Sequence, residues 1–139
     1  MSQTPSSSLI LSIAVGSAAG GVARYLLSGA VHHRLGTAFP VGTLVVNVLG
    51  CLALGFILQV ALDTGELSPA ARALLTTGFC GGFTTFSTFS WETMGLIEEG
   101  SLRRAALNVG GSVVLGLGAI WVGMLTAKIL LGVLRKGGT

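Results

Sequence analysis

Two stretches of this chain, residues 41–62 and 105–127, contain no charged side chain, and two more, 9–27 and 73–97, contain one each, Arg24 and Glu92. As helices rising 1.5 Å per residue, these windows of roughly 19 to 25 residues reach about 28 to 38 Å, against a bilayer hydrocarbon core of about 30 Å. Hydrocarbon offers no partner to backbone amides, so such stretches cross it as helices that satisfy their own hydrogen bonds. The expectation is an all-α integral membrane protein of four transmembrane helices in a single domain, 1–139, with spans at about 7–30, 41–62, 70–97 and 103–134. A content of 51% apolar and 9% charged residues, with 22 glycines in 139, excludes an ordinary soluble domain.

Net charge is +3, and the basic residues at loops and helix ends, such as Arg103, Arg104, Arg135 and Lys136, suit anionic headgroups of membrane lipid rather than nucleic acid. No basic n-region precedes the first window, and its apolar run exceeds the usual core of a secretory signal, so it reads as a retained span. Cys51 and Cys80 fall within spans, at no metal-ligand spacing, and read as small packing residues. Connections are short, at residues 28–40, 63–72 and 98–104, which places both termini on one side. Four spans are too few to enclose a pathway, so oligomerisation is expected.

Cytoplasmic loops normally carry excess Lys and Arg, but the count here ties. Arg72, Arg135 and Lys136 lie on the face of the termini, and Arg34, Arg103 and Arg104 on the opposite face; Lys128 and Arg24 make it four against four. A chain without bias inserts both ways, and two oppositely oriented copies pair about a two-fold axis in the membrane plane as an antiparallel homodimer. The alternative is a single orientation set by the insertion machinery.

The third window holds Gly81-Gly82-Phe83-Thr84-Thr85-Phe86-Ser87-Thr88-Phe89-Ser90, with hydroxyls at Thr84, Thr85, Ser87, Thr88, Ser90 and Thr93. Lipid cannot solvate these groups, so they point to a polar pathway. Gly78, Gly81 and Gly82 precede the threonines, and a helix broken there exposes carbonyl oxygens that must be buried or hydrated. Two such breaks meeting on a dimer axis make an oxygen cage for a small hard cation, sodium being a candidate; the alternative is that the glycines serve only close packing. Gly16 and Gly20, Gly42, Gly50 and Gly55, and Gly116 and Gly123 mark surfaces where backbones can approach.

Four blocks resemble the Fluc (CrcB) family of fluoride channels: Gly20-xxx-Arg24-Tyr25, Pro40-Val41-Gly42-Thr43-Leu44-Val45-Val46-Asn47, the run from Gly78 to Glu92, and Asn108-xxx-Ser112-xxx-Gly116-xx-Ala119. The resemblance spans nearly the whole chain, and its third block is very specific. It implies a dual-topology dimer with two parallel fluoride pores, a structural sodium ion at the dimer axis held by the backbone carbonyls of Gly81 and Thr84, and a bacterial inner membrane. It also implies that the Phe86 and Phe89 rings line the pore.

The residues support that assignment chemically. Fluoride is small and strongly hydrated, so a pore must offer hydrogen-bond donors or positive ring edges without a mobile positive charge. Phe86 and Phe89 lie three residues apart on one helical face, and aromatic edges are positive; elsewhere such a pair would be plain core. Ser87 and Ser90 lie on a neighbouring face. Asn47 brings two N–H donors into an apolar span, with interhelical bonding as the alternative role, and Thr43 one turn earlier suits the entry. Arg24 fits a vestibule or structural position. In the fourth span Ser112 keeps a hydroxyl and Asn108 can donate where relatives often carry tyrosine or a hydroxyl, but Gly116 removes one polar rung. Discrimination of fluoride from chloride is therefore expected to rest on Phe86, Phe89 and Asn47.

Two other classes compete with a passive channel: a proton-coupled exporter, for which Glu92 is the one embedded carboxylate, and a non-conducting packing subunit. An enzyme is not expected, since His32 and His33 are loop neighbours and no nucleophile set lies at a plausible depth.

Overall fold

The computed structural model describes residues 6–137, which are mostly helical, with no strand among them. Helix α1 spans Ser7–Leu35, α2 Val41–Thr64, α3 Pro69–Ala73, a π-helical segment Leu74–Cys80, α4 Gly81–Phe83, α5 Phe86–Glu98 and α6 Leu102–Gly137. Three of these, α1, α2 and α6, are long and apolar enough to cross a membrane. At 24 residues α2 is about 36 Å long, and α6 at 36 residues about 54 Å, which carries its end well past the hydrocarbon.

Local chemistry sets the ends. The Ser6 side chain accepts the Leu9 N–H at the start of α1, and Ser68 does the same for Ala71 with Pro69 in the first turn of α3, where its missing N–H costs nothing. The first connection is shorter than expected: residues 28–35 continue α1 instead of forming a loop, because nothing before Gly36 interrupts the helix. Gly36 ends it at φ 55°, ψ 27°, with its N–H on the His32 carbonyl. Gly36→Ala is expected to cost about 1 kcal/mol, the penalty of a Cβ in the left-handed region, read as a lower Tm in detergent.

The third apolar window is helical in pieces. In the π-helical segment the Gly81 N–H reaches back to the Thr76 and Gly78 carbonyls, a widened turn of the kind common at functional sites. The chain then leaves the helical region at Thr84 (φ −79°, ψ 158°) and Thr85 (φ −150°, ψ 116°) before α5 begins. The break thus falls at two β-branched residues and not at the glycines, all three of which have ordinary negative φ. Gly78 and Gly82 serve instead for close approach: α1 lies on this segment, and a Cβ at Gly16, Gly20 or Gly82 would collide with the opposing backbone.

Helix α2 packs along α6 through a matching pair of glycines, Gly55 against the Ile120 carbonyl and Gly123 against that of Leu52. Gly116 has only ordinary contact with Cys51, and Gly50 meets the side chains of Thr84 and Phe83, so neither brings two backbones together. Cys51 and Cys80 are free thiols, Cys80 fully buried.

Candidate functional site: a helix break between two grooves

Thr85 is where the polar groups of this chain converge. Its N–H, released from the helix, is donated to Asn47 Oδ1 at 2.8 Å, and Asn47 Nδ2 donates back to the Thr85 carbonyl at 3.1 Å. The amide of Asn47 is planar and carries one acceptor and one donor edge, so it pairs with the peptide groups of Thr85 as a second backbone would. The Thr85 hydroxyl accepts the Thr88 N–H at 3.1 Å, capping α5, and is donated to Thr88 Oγ1 at 3.0 Å.

Those bonds have consequences for two carbonyls. In an unbroken helix the Thr85 N–H would close on the Gly81 carbonyl, and the Thr88 N–H on that of Thr84. Both donors are diverted, the first to Asn47 and the second to the Thr85 hydroxyl. The Gly81 and Thr84 oxygens are neutral, hard and strongly dipolar, which is the donor chemistry that a small hard cation takes.

A groove of about 460 Å³ opens on one side of the break, lined by Arg24, Tyr25, Thr43, Thr85, Thr88 and Glu92 among others. Thr43 donates to Glu92 Oε1 at 2.8 Å, while Glu92 Oε2 and Arg24 Nε are buried without a hydrogen-bond partner in the chain. Two opposite formal charges therefore face one polar cavity without pairing there. A second groove, about 500 Å³, lies on the other side between α2 and the broken segment, lined by Asn47, Gly50, Cys51, Cys80, Gly81, Thr84, Thr85 and Phe86. Thr85 borders both.

The Phe86 and Phe89 rings sit 5.5 Å apart, tilted by 40°. Phe86 is 79% exposed on the single chain, so its ring faces lipid or another molecule rather than the core. Ser90 donates its hydroxyl to the Phe86 carbonyl within α5, and Ser87 pairs with the Thr85 hydroxyl at 3.2 Å. Asn108 lies in neither groove: it is buried and donates to Thr93 Oγ1 at 2.9 Å, and Thr93 donates in turn to the Phe89 carbonyl at 2.7 Å. Ser112, one turn further along α6, has a buried hydroxyl without a partner in the chain.

The twelve positions singled out from sequence thus fall into three groups: Arg24, Thr43 and Glu92; Asn47, Gly81, Thr84 and Phe86; and, along α5 and α6, Phe89, Ser87, Ser90, Asn108 and Ser112. Within one chain they do not join into a single passage. Thr85, Thr88 and Thr93 read in sequence only as hydroxyls of the polar run, without the individual roles the fold gives them. A signal for Thr85 existed, since a hydroxyl residue directly before a helical run is the pattern of an N-cap.

Apolar helices of membrane length with polar side chains gathered at an interruption define a multi-pass membrane protein with a buried polar centre. The chain belongs to the CrcB family: the model described as CrcB-like protein, Camphor Resistance (CrcB), matches residues 11–124. Similar relatives are bacterial proteins named fluoride-specific ion channel FluC. That of Geobacter sulfurreducens is 53% identical over 121 residues, covering 87% of this chain and 98% of the relative. The Chlorobaculum tepidum protein is 52% identical over 120 residues (86% and 94%), and that of Solibacter usitatus 46% over 118 (85% and 97%).

Proposed function

We propose that this chain is one subunit of a passive, fluoride-selective channel that lets fluoride leave the cytoplasm across the bacterial inner membrane. The observation that carries the proposal is the Phe86–Phe89 pair on a helix that begins at an amide-clamped break, in a chain about half identical to relatives named for fluoride conduction. In this reading Pro69–Ala73 through Phe86–Glu98 form a third, interrupted span beside the three continuous ones, and two antiparallel copies make a homodimer with two pores. The exposed face of Phe86 and the division of the polar groups into separate clusters support a dimer, because a second copy can complete what one chain leaves open.

Dehydration is the main barrier for fluoride. The chain offsets it with neutral donors: the Asn47 N–H that Thr85 does not use, the hydroxyl of Ser112, and the positive edges of Phe86 and Phe89; the Ser87 proton is given to the Thr85 hydroxyl. Ser90 is a weaker contributor, its proton being held by its own helix. A formal positive charge in the narrow part would bind fluoride and hold it; Arg24 sits instead in the groove beyond the break, where it raises the local anion concentration. Thr43 and Asn108 orient Glu92 and Thr93. The carbonyls of Gly81 and Thr84, two from each subunit, would hold sodium, which supplies a fixed positive charge between the subunits.

Purified protein in liposomes loaded with potassium fluoride, given a potassium ionophore, is expected to release fluoride, with potassium chloride vesicles releasing little. Equal permeation of the two halides, or none of either from folded dimer, would overturn the proposal. Glu92→Gln tests the exporter alternative: a channel keeps voltage-driven fluoride flux, whereas an exporter loses flux and its pH dependence together.

A further inference from the structure

We propose that Asn47 is a positioning residue for the cation site, because by taking the Thr85 N–H it keeps the Gly81 carbonyl out of the helical ladder and free to ligate. The inference rests on the cation assigned under the proposed function and adds to it the device that creates the ligand.

Without Asn47, the Thr85 N–H at the break would lose its partner in the chain, and a backbone donor at membrane depth is held where it is satisfied. The nearest remedy is local: closing the helix returns that N–H to Gly81 and consumes the carbonyl. Asn47 removes the incentive by answering both peptide groups of Thr85 at 2.8 and 3.1 Å. Its position on α2 permits this, because Gly50, on the same helical face one turn on, has no side chain; a Cβ there would collide with the Thr84 methyl and push α2 away from the break. One N–H of the Asn47 amide stays uncommitted. The same side chain therefore spends two bonds on Thr85 at the break and retains one donor for an anion.

The test measures the sodium-dependent rise in Tm of the purified, full-length protein, with N-methylglucamine chloride as the sodium-free comparison, alongside fluoride efflux from liposomes. Wild type is expected to be stabilised by sodium. Asn47→Ala, which lacks the acceptor, is expected to need about tenfold more sodium for the same shift, as for loss of about 1.4 kcal/mol at a ligand. Asn47→Asp keeps an oxygen for the Thr85 N–H but no donor, so it should keep the sodium shift and lose fluoride efflux. An unchanged sodium response in Asn47→Ala would overturn the inference, and so would its loss in Asn47→Asp. Should Asn47→Ala not fold, Gly50→Ala is read in its place, with the same weakened sodium response expected and a wild-type response counting against. A wild type that conducts fluoride with no sodium shift sinks this inference together with the cation assignment and leaves the channel standing, and one that shows the shift without fluoride flux sinks the channel reading alone.

Discussion

Replacing Phe86 with alanine is expected to slow fluoride efflux by about tenfold or more while leaving the fold of the single chain intact. With the ring edge contributing to the anion on the scale of an edge-to-face aromatic pair, about 0.5–1.5 kcal/mol, loss of the upper value in a rate-limiting passage is about a factor of ten. Within one chain the ring can be removed at little cost, because it is 79% exposed there, with the Phe89 ring 5.5 Å away. Phe89→Ala is expected to slow efflux similarly but to lower the Tm as well, because this ring is partly buried. Liposome efflux and thermal unfolding of the same preparations check both quantities. Fluoride efflux at the wild-type rate in Phe86→Ala would remove the ring from the pathway.

Gly20→Val is expected to abolish the folded protein. A Cβ at Gly20 would overlap the Phe79 carbonyl oxygen and press on the Phe83 amide, both backbone atoms that no rotamer change can move. Relief requires α1 to separate from the π-helical segment that it covers, a cost of about 3 kcal/mol or more. Gly21→Ala, next along the helix, has open space within 4 Å of the added carbon and is expected to change stability by no more than about 0.5 kcal/mol. Size-exclusion profiles and unfolding in detergent distinguish the two, and a well-folded Gly20→Val protein would show that the contact between α1 and Phe79 is loose.

The same comparison shows how much the glycine pattern alone reveals. Gly16, Gly20, Gly55 and Gly123 stand out by spacing, and each lies where two backbones meet. Gly21 and Gly116 look no different in sequence yet face open space or ordinary contact, because what distinguishes them is the neighbouring helix and not their own. The break reads similarly. An interruption in the third window follows from glycines and hydroxyls in a run too polar for lipid, but the glycines are helical and the chain turns out at Thr84 and Thr85. Intrinsic propensity favoured the glycines; bonds from Asn47, 38 residues away, decided for the threonines.

Sequence by itself determined what the bilayer dictates: helices of membrane length, their apolar surface, the concentration of hydroxyls and phenylalanines in the third window, and the family. These follow from composition and period, since hydrocarbon tests every residue against the same solvent. The tertiary structure alone decided which polar groups answer one another. Asn47 reads as a free donor along the chain and becomes a clamp in the fold, and Glu92 reads as a lone embedded carboxylate but meets Thr43 in a groove that also holds Arg24. A buried polar atom must find a partner within about 3 Å, and which atom stands there depends on helix packing that no single span encodes.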